Sequence, residues 1–182
     1  MTPDGSQGRG CAYPEAAAPI REEGAPVREK IDHGQLRQLY DYWDRKRGTR
    51  VMPSRADLDP VDIPALLPNL ILVDVERGAQ VRFRFRLYGT DVCAIRGVDL
   101  TGRYIDEENI TALRNPAIAS YNRILADRQP VYERHRFHPN DRNVGYYHRL
   151  VLPLGEENQV QMLLIGFYRE IAPPEYHSTS LD

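Results

Sequence analysis

Residues 81 to 88 read Val-Arg-Phe-Arg-Phe-Arg-Leu-Tyr. Val81, Phe83, Phe85 and Leu87 alternate with Arg82, Arg84, Arg86 and Tyr88, a period of two. Extended backbone turns successive side chains to opposite faces, so this run is expected to be a strand with one buried and one polar face. A strand needs neighbours, and its apolar face needs a cover. The chain supplies both. Leu70 to Val75 is apolar and β-rich, and Glu76 to Gln80, with Gly78, reads as the hairpin turn between the two. Three further strands are expected at Val131 to Phe137, Gly145 to Leu152 and Val160 to Tyr168. Their turns are Asn140-Asp141-Arg142-Asn143 and Gly155-Glu156-Glu157-Asn158. With the first turn centred on Asp141, Glu133 falls opposite Arg149, an opposite-charge cross-strand pair.

Helical periodicity fills the gaps. Leu36, Leu39, Tyr40 and Trp43 recur at i, i+3, i+4 and i+7, one face of a helix that Gly48 stops. Ser54 caps a short turn with Asp57 favourably placed in it, and Asp62 to Leu67 forms another, closed by Pro68. Thr90 and Asp91 open a short helix through Arg96, ended by Gly97. Asn115 followed by Pro116 reads as a cap and first-turn proline. Ile118, Tyr121, Ile124 and Leu125 then share one face up to Arg128. The order is helix, two strands, a helical midsection and three strands. The fold class is therefore α+β with a five-stranded antiparallel sheet.

Composition narrows the functional classes. The 182 residues carry 24 Lys and Arg against 26 Asp and Glu, a net charge of −2. That balance gives no case for nucleic acid or an anionic membrane surface as partner. No apolar run is long enough to span a bilayer, and the start never reaches the apolar core of a signal peptide. The only cysteines, Cys11 and Cys93, suggest no structural disulfide, which fits a cytoplasmic protein. Residues 1–30, rich in Gly, Pro, Ala and Glu, are expected to be a disordered leader. Residues 31–172 form the domain, and 173–182 a flexible tail.

Three stretches carry a family resemblance. Tyr42-Trp43 with Pro53 to Pro60 and Ile63 to Pro68 is the first. Phe83 to Thr90 followed by Leu100-Thr101-Gly102-Arg103 is the second. Tyr147 to Leu154 is the third. Together, over roughly residues 33 to 170, they resemble a bacterial, mostly single-domain PAS-like family formerly described as a domain of unknown function and known in alphaproteobacteria. The resemblance implies a sensory or regulatory module in signal transduction, not an enzyme, with a cleft between sheet and helices. It carries no established shared ligand, so the cofactor is unknown. The implied partners are a small-molecule ligand and a signalling protein, since no kinase, cyclase or DNA-binding segment is read in the chain.

Candidate residues follow. Tyr104, Ile118, Tyr121, Ile124 and His148 are the expected ligand-binding set, Tyr121 with Ile118 and Ile124 forming the helix wall of the cleft. Leu36, Leu39, Tyr40 and Trp43 are the expected partner-binding set. The same stripe serves equally as cover for the chain's own sheet or as a homodimer contact. Cys93 falls too early for a flavin-bonding cysteine, and residues 116 to 128 hold no axial histidine for haem. His135 and His138, three apart on a strand, face opposite ways and make no metal pair. No catalytic or metal residue is assigned. Arg82, Arg84 and Arg86, with Arg134 and Arg136, offer an anion-binding stripe or a solvated face paired with acids of the first helix. Two alternatives stay open. One is a protein-interaction adaptor with a filled cleft. The other, placed last, is a small cone-shaped α+β enzyme using Glu133 and His148, although Glu133 should alternate to the other sheet face.

Overall fold

The computed structural model describes residues 26–107, 111–140 and 143–171, without the side chains of 111–113, 138–140 and 143–144. The expected leader up to residue 25, the tail from 172, the turn residues 141–142 and the side chain of His138 lie outside the described residues. Five strands, β1 (Leu70–Arg77), β2 (Val81–Tyr88), β3 (Val131–Asn140), β4 (Asn143–Glu156) and β5 (Gln159–Ile171), form one sheet in the order β2-β1-β5-β4-β3. Every pairing is antiparallel. Four helices accompany it: α1 (Val27–Lys30), α2 (Gly34–Arg47), α3 (Thr90–Arg96) and α4 (Thr111–Asp127). The expected α+β architecture is observed.

The sheet is covered on both faces. On the outer face lies α2, whose Leu36, Leu39, Tyr42 and Trp43 are all buried. The docking is close because β5 carries glycine at the crossing point. A Cβ on Gly166 would stand 2.4 Å from Leu36 Cδ2 and 2.8 Å from Leu39 Cδ2. Trp43 Nε1 donates a 2.8 Å bond to the Pro153 carbonyl, which pins the far end of the helix to β4. The stripe thus serves as intramolecular cover, and of its four residues Tyr40 alone keeps appreciable exposure.

On the inner face α3 and α4 face the sheet, with Val92, Ala117, Tyr121 and Ile124 buried. Gly97 ends α3 at φ 71°, a left-handed conformation that suits glycine. The β4–β5 turn places Glu157 and Asn158 at φ 50° and 64°, the pattern of a tight type I′ hairpin. Ser54 N–H donates to Asp57 Oδ2 at 2.7 Å, so Asp57 closes the start of the short turn Arg55–Asp57.

Three details differ from the sequence reading. Between Leu72 and Val73 the β1–β2 register shifts, and Arg86 has no partner opposite it. The extra residue reverses the alternation, so Leu87 is 41% exposed while Tyr88 is 8% exposed. Helix α4 starts at Thr111, so Pro116 stands inside it and withdraws one donor from its ladder. Pro68 lies within a turn of 3-10 helix, Leu67–Asn69, instead of closing one.

Candidate functional site

A partly open cavity of about 100 Å³ lies between the inner sheet face and helices α3 and α4. Its floor is built by alternation. Ile71 of β1, Phe85 of β2, and Ile165 and Phe167 of β5 point inward, joined by His135 and Phe137 of β3 and Tyr147 and Arg149 of β4. Val92 of α3 and Ala117 and Tyr121 of α4 form the roof. The aromatic rings are organised: Phe137 stacks on Tyr147 at 4.3 Å, and Tyr147 on Phe167 at 5.6 Å. A Cβ at Gly145, opposite Phe137, would stand 2.4 Å from the Phe137 ring, so the glycine makes room for it.

The polar element of the floor is an ion pair. Glu133 and Arg149 are direct cross-strand partners, as the turn arithmetic predicted. Arg149 Nε donates to Glu133 Oε2 at 3.1 Å and Nη2 donates to the same oxygen. His135 Nε2 is 3.6 Å from that oxygen. The guanidinium carbon lies 5.7 Å from the Tyr121 ring centre, a cation–π contact with the roof. Burial pushes the Glu133 carboxyl up, but the charges and hydrogen bonds of Arg149 and His135 together outweigh it and hold the group at about 2.

The outer face of the same two strands carries a second polar cluster. His148 is 2% exposed, and its Nδ1 is 2.8 Å from the Tyr132 hydroxyl and 3.2 Å from Asp32 Oδ1. Tyr132 also donates to Asp32, and Arg134 Nη1 donates to Asp32 Oδ2 at 2.5 Å. The His33 ring lies tilted against Tyr168 at 4.4 Å and 5.2 Å from the His148 ring. Asp32 and His33 lead into α2, so this cluster fastens the start of that helix to β3 and β4. Burial, and secondarily the neighbouring His148, lowers the pKa of His33. Burial likewise lowers that of His148, against the pull of Asp32 and Glu170.

Of the five ligand-binding candidates, Tyr121 lines the cavity. Ile124 is buried in the core and Ile118 is half-buried, and neither lines the cavity. Tyr104 sits beside β2 on the other side of the sheet, its hydroxyl donating to Glu76 Oε2 at 2.8 Å. His148 is on the outer face, so its expected cleft orientation is corrected. The parity of β4 sends Arg149 inward instead, and Glu133 with it. Glu133 and His148 therefore lie on opposite faces and form no acid–base pair. The arginine stripe is paired, though not with the first helix. Arg84 reaches Glu76 at 2.6 Å, Arg86 reaches Asp74 at 2.7 Å, and Arg82 reaches Asp106 at 2.8 Å. Among the described residues no cluster of metal-ligating side chains occurs, and no helix is long and apolar enough to cross a membrane.

An antiparallel five-stranded sheet, with a cavity under helices on one face and a flanking helix on the other, is the build of a sensory and signalling module. The chain matches the PAS domain family over residues 31–169 and belongs to it. No curated protein matches the chain in sequence.

Proposed function

We propose that this PAS domain is a ligand-responsive regulatory module whose inner cavity receives a small molecule and whose output passes through α2 to a protein partner. The observation that carries this reading is the cavity itself. It is mostly apolar, with a few convergent polar groups, the composition that small-ligand sites require. A single buried water needs roughly 10–15 Å³ of such volume, so this space admits a small organic molecule. The roof is suited to respond, because α3 is only seven residues long and an element held by few contacts opens locally at low cost. A ligand that prefers one roof arrangement shifts its population by its differential affinity. The reading involves no catalytic step: Glu133 is held by Arg149 as an ion pair, and the other candidate for acid–base work lies across the sheet.

The test is native mass spectrometry of protein purified gently from its own host, compared with the denatured mass and with a Val92→Phe variant that fills the cavity. Extra mass on the wild type that the variant lacks supports the module. Identical bare masses for both, together with no response to a metabolite panel, favour the adaptor with a filled cleft.

A further inference from the structure

The hydroxyl of Tyr121 is an unanswered polar group. Tyr121 is 3% exposed and lines the cavity from α4. Its ring is held edge-on by Phe83 at 5.2 Å, with the Arg149 guanidinium carbon 5.7 Å away. Tyr42, Tyr104 and Tyr132 each commit their hydroxyl to a hydrogen bond, with Asp59, Glu76 and Asp32 respectively. What acts on the Tyr121 hydroxyl is burial, then the charges of Arg149, Glu133 and Arg96, with no hydrogen bond among them. Burial raises its pKa, so the phenol stays protonated and has a proton to donate. A buried tyrosine hydroxyl ordinarily finds a partner, and the space it lines can supply one. The charged groups around it are already engaged. Arg149 donates to Glu133 through Nε and Nη2, and His135 Nε2 lies 3.6 Å from the same carboxylate. Arg96 and Arg114 have partners of their own, and Arg136 is exposed to water. A charged guest would give up its hydration for a lining whose buried charges, among the described residues, are matched elsewhere.

We propose that the occupant of the cavity is a small uncharged molecule with an apolar or aromatic body and one hydrogen-bond acceptor, a carbonyl oxygen being the simplest, which accepts from the Tyr121 hydroxyl while the body rests against Ile71, Val92 and Ile165. The size of the cavity, about 100 Å³, sets the scale. Pockets for drug-sized ligands run to roughly 300–1,000 Å³. The inference rests on the cavity reading above and adds the chemical class and the residue that recognises it.

The experiment is an NMR titration of the labelled chain, wild type and Tyr121→Phe, with acetophenone, α-methylstyrene, benzoate and benzamidinium at neutral pH. The probes share a ring and nearly one outline. α-Methylstyrene has a methylene where acetophenone has its carbonyl oxygen, and the last two are an anion and a cation. Acetophenone is expected to shift Ile71, Val92, Ala117 and Ile165. Tyr121→Phe is expected to weaken acetophenone by about threefold or more and to leave α-methylstyrene unchanged, the loss of one neutral hydrogen bond. Benzoate and benzamidinium are expected to bind at least tenfold more weakly than acetophenone. Without any probe, Tyr121→Phe removes an unsatisfied hydroxyl, so its melting temperature is expected not to fall. A fall would overturn the unpartnered hydroxyl. An equal effect of the substitution on both neutral probes would overturn the acceptor, and a charged probe that binds as well as acetophenone would overturn the uncharged class, each leaving the cavity reading intact. Absence of cavity shifts with all four probes would overturn both.

Discussion

Glu133 and Arg149 stand directly opposite each other on β3 and β4, with both side chains on the cleft side of the sheet and nearly removed from water. Breaking such a pair leaves an uncompensated buried charge. Glu133→Gln or Arg149→Met alone is expected to cost about 3–5 kcal/mol, whereas the double replacement recovers most of that. Urea unfolding of the four proteins measures this. Additive losses would show that the two groups do not act as a pair.

The same pair sets an acid limb. The Glu133 carboxyl is held at about 2, below its ordinary 4.5. A depressed carboxyl contributes stability that is present above the unfolded value and lost as pH falls through the folded one. Wild-type stability should therefore decline from about pH 4.5 towards 2, and Glu133→Gln should flatten that decline. An unchanged slope in the variant would count against the assignment.

The histidines under the start of α2 act in a higher window. His33 and His148 are both lowered from 6.5 by burial, so the folded chain binds fewer protons than the unfolded one. Their contribution is complete above 6.5 and is lost as pH falls below it. Asp32, Tyr132, Arg134 and Glu170 face the same groups, so they share in the response. The melting temperature should fall between pH 7 and 5, less steeply in His148→Gln. Parallel curves for variant and wild type would remove His148 from this role.

Gly166 sets the closeness of α2. Gly166→Ala places a methyl against Leu36 and Leu39, and overpacking of this kind costs about 1–3 kcal/mol. Combining it with Leu36→Ala should cost less than the sum of the two single changes. Strict additivity in thermal denaturation would show that the helix does not rest on this position.

Trp43 is the chain's one tryptophan and is 2% exposed, so its fluorescence reports on α2 alone. Trp43→Phe leaves the Pro153 carbonyl without its donor and should cost about 1–3 kcal/mol. In the wild type, the tryptophan signal is expected to change together with the circular dichroism of the sheet. An earlier change in fluorescence would mean that α2 leaves the sheet first.

The order of elements was legible because alternation and helical spacing are local signals. The Glu133–Arg149 pairing was legible because a turn fixes register. Which face each residue takes was harder to read. Leu150-Val151-Leu152 are all buried, since α2 covers one face of β4 and the other helices cover the other. A strand apolar on both sides gives no parity, and the reading turned His148 inward where Arg149 belongs. The signal that would have found Arg149 is its spacing of two from Val151, combined with that of Glu133 from Val131, taken across the paired strands. The β2 bulge left no local mark, because an extra arginine within an arginine run looks like more alternation. Arg96 and Arg114 reach the cavity from α3 and α4, a tertiary relation that no period in the chain records.

His148 and Arg149 are joined by one peptide bond yet serve opposite compartments, the anchorage of α2 and the floor of the cleft. On the proposed ligand-receiving reading, a guest that displaces Arg149 also displaces the backbone that positions the histidine. Thermodynamic reciprocity then binds the two compartments. If filling the cleft loosens Asp32 from β3 and β4 by some factor, cutting Asp32 loose must change the affinity for the guest by that same factor. On the same ligand-receiving reading, Asp32→Asn is expected to change the affinity of the cleft from the far side of the sheet.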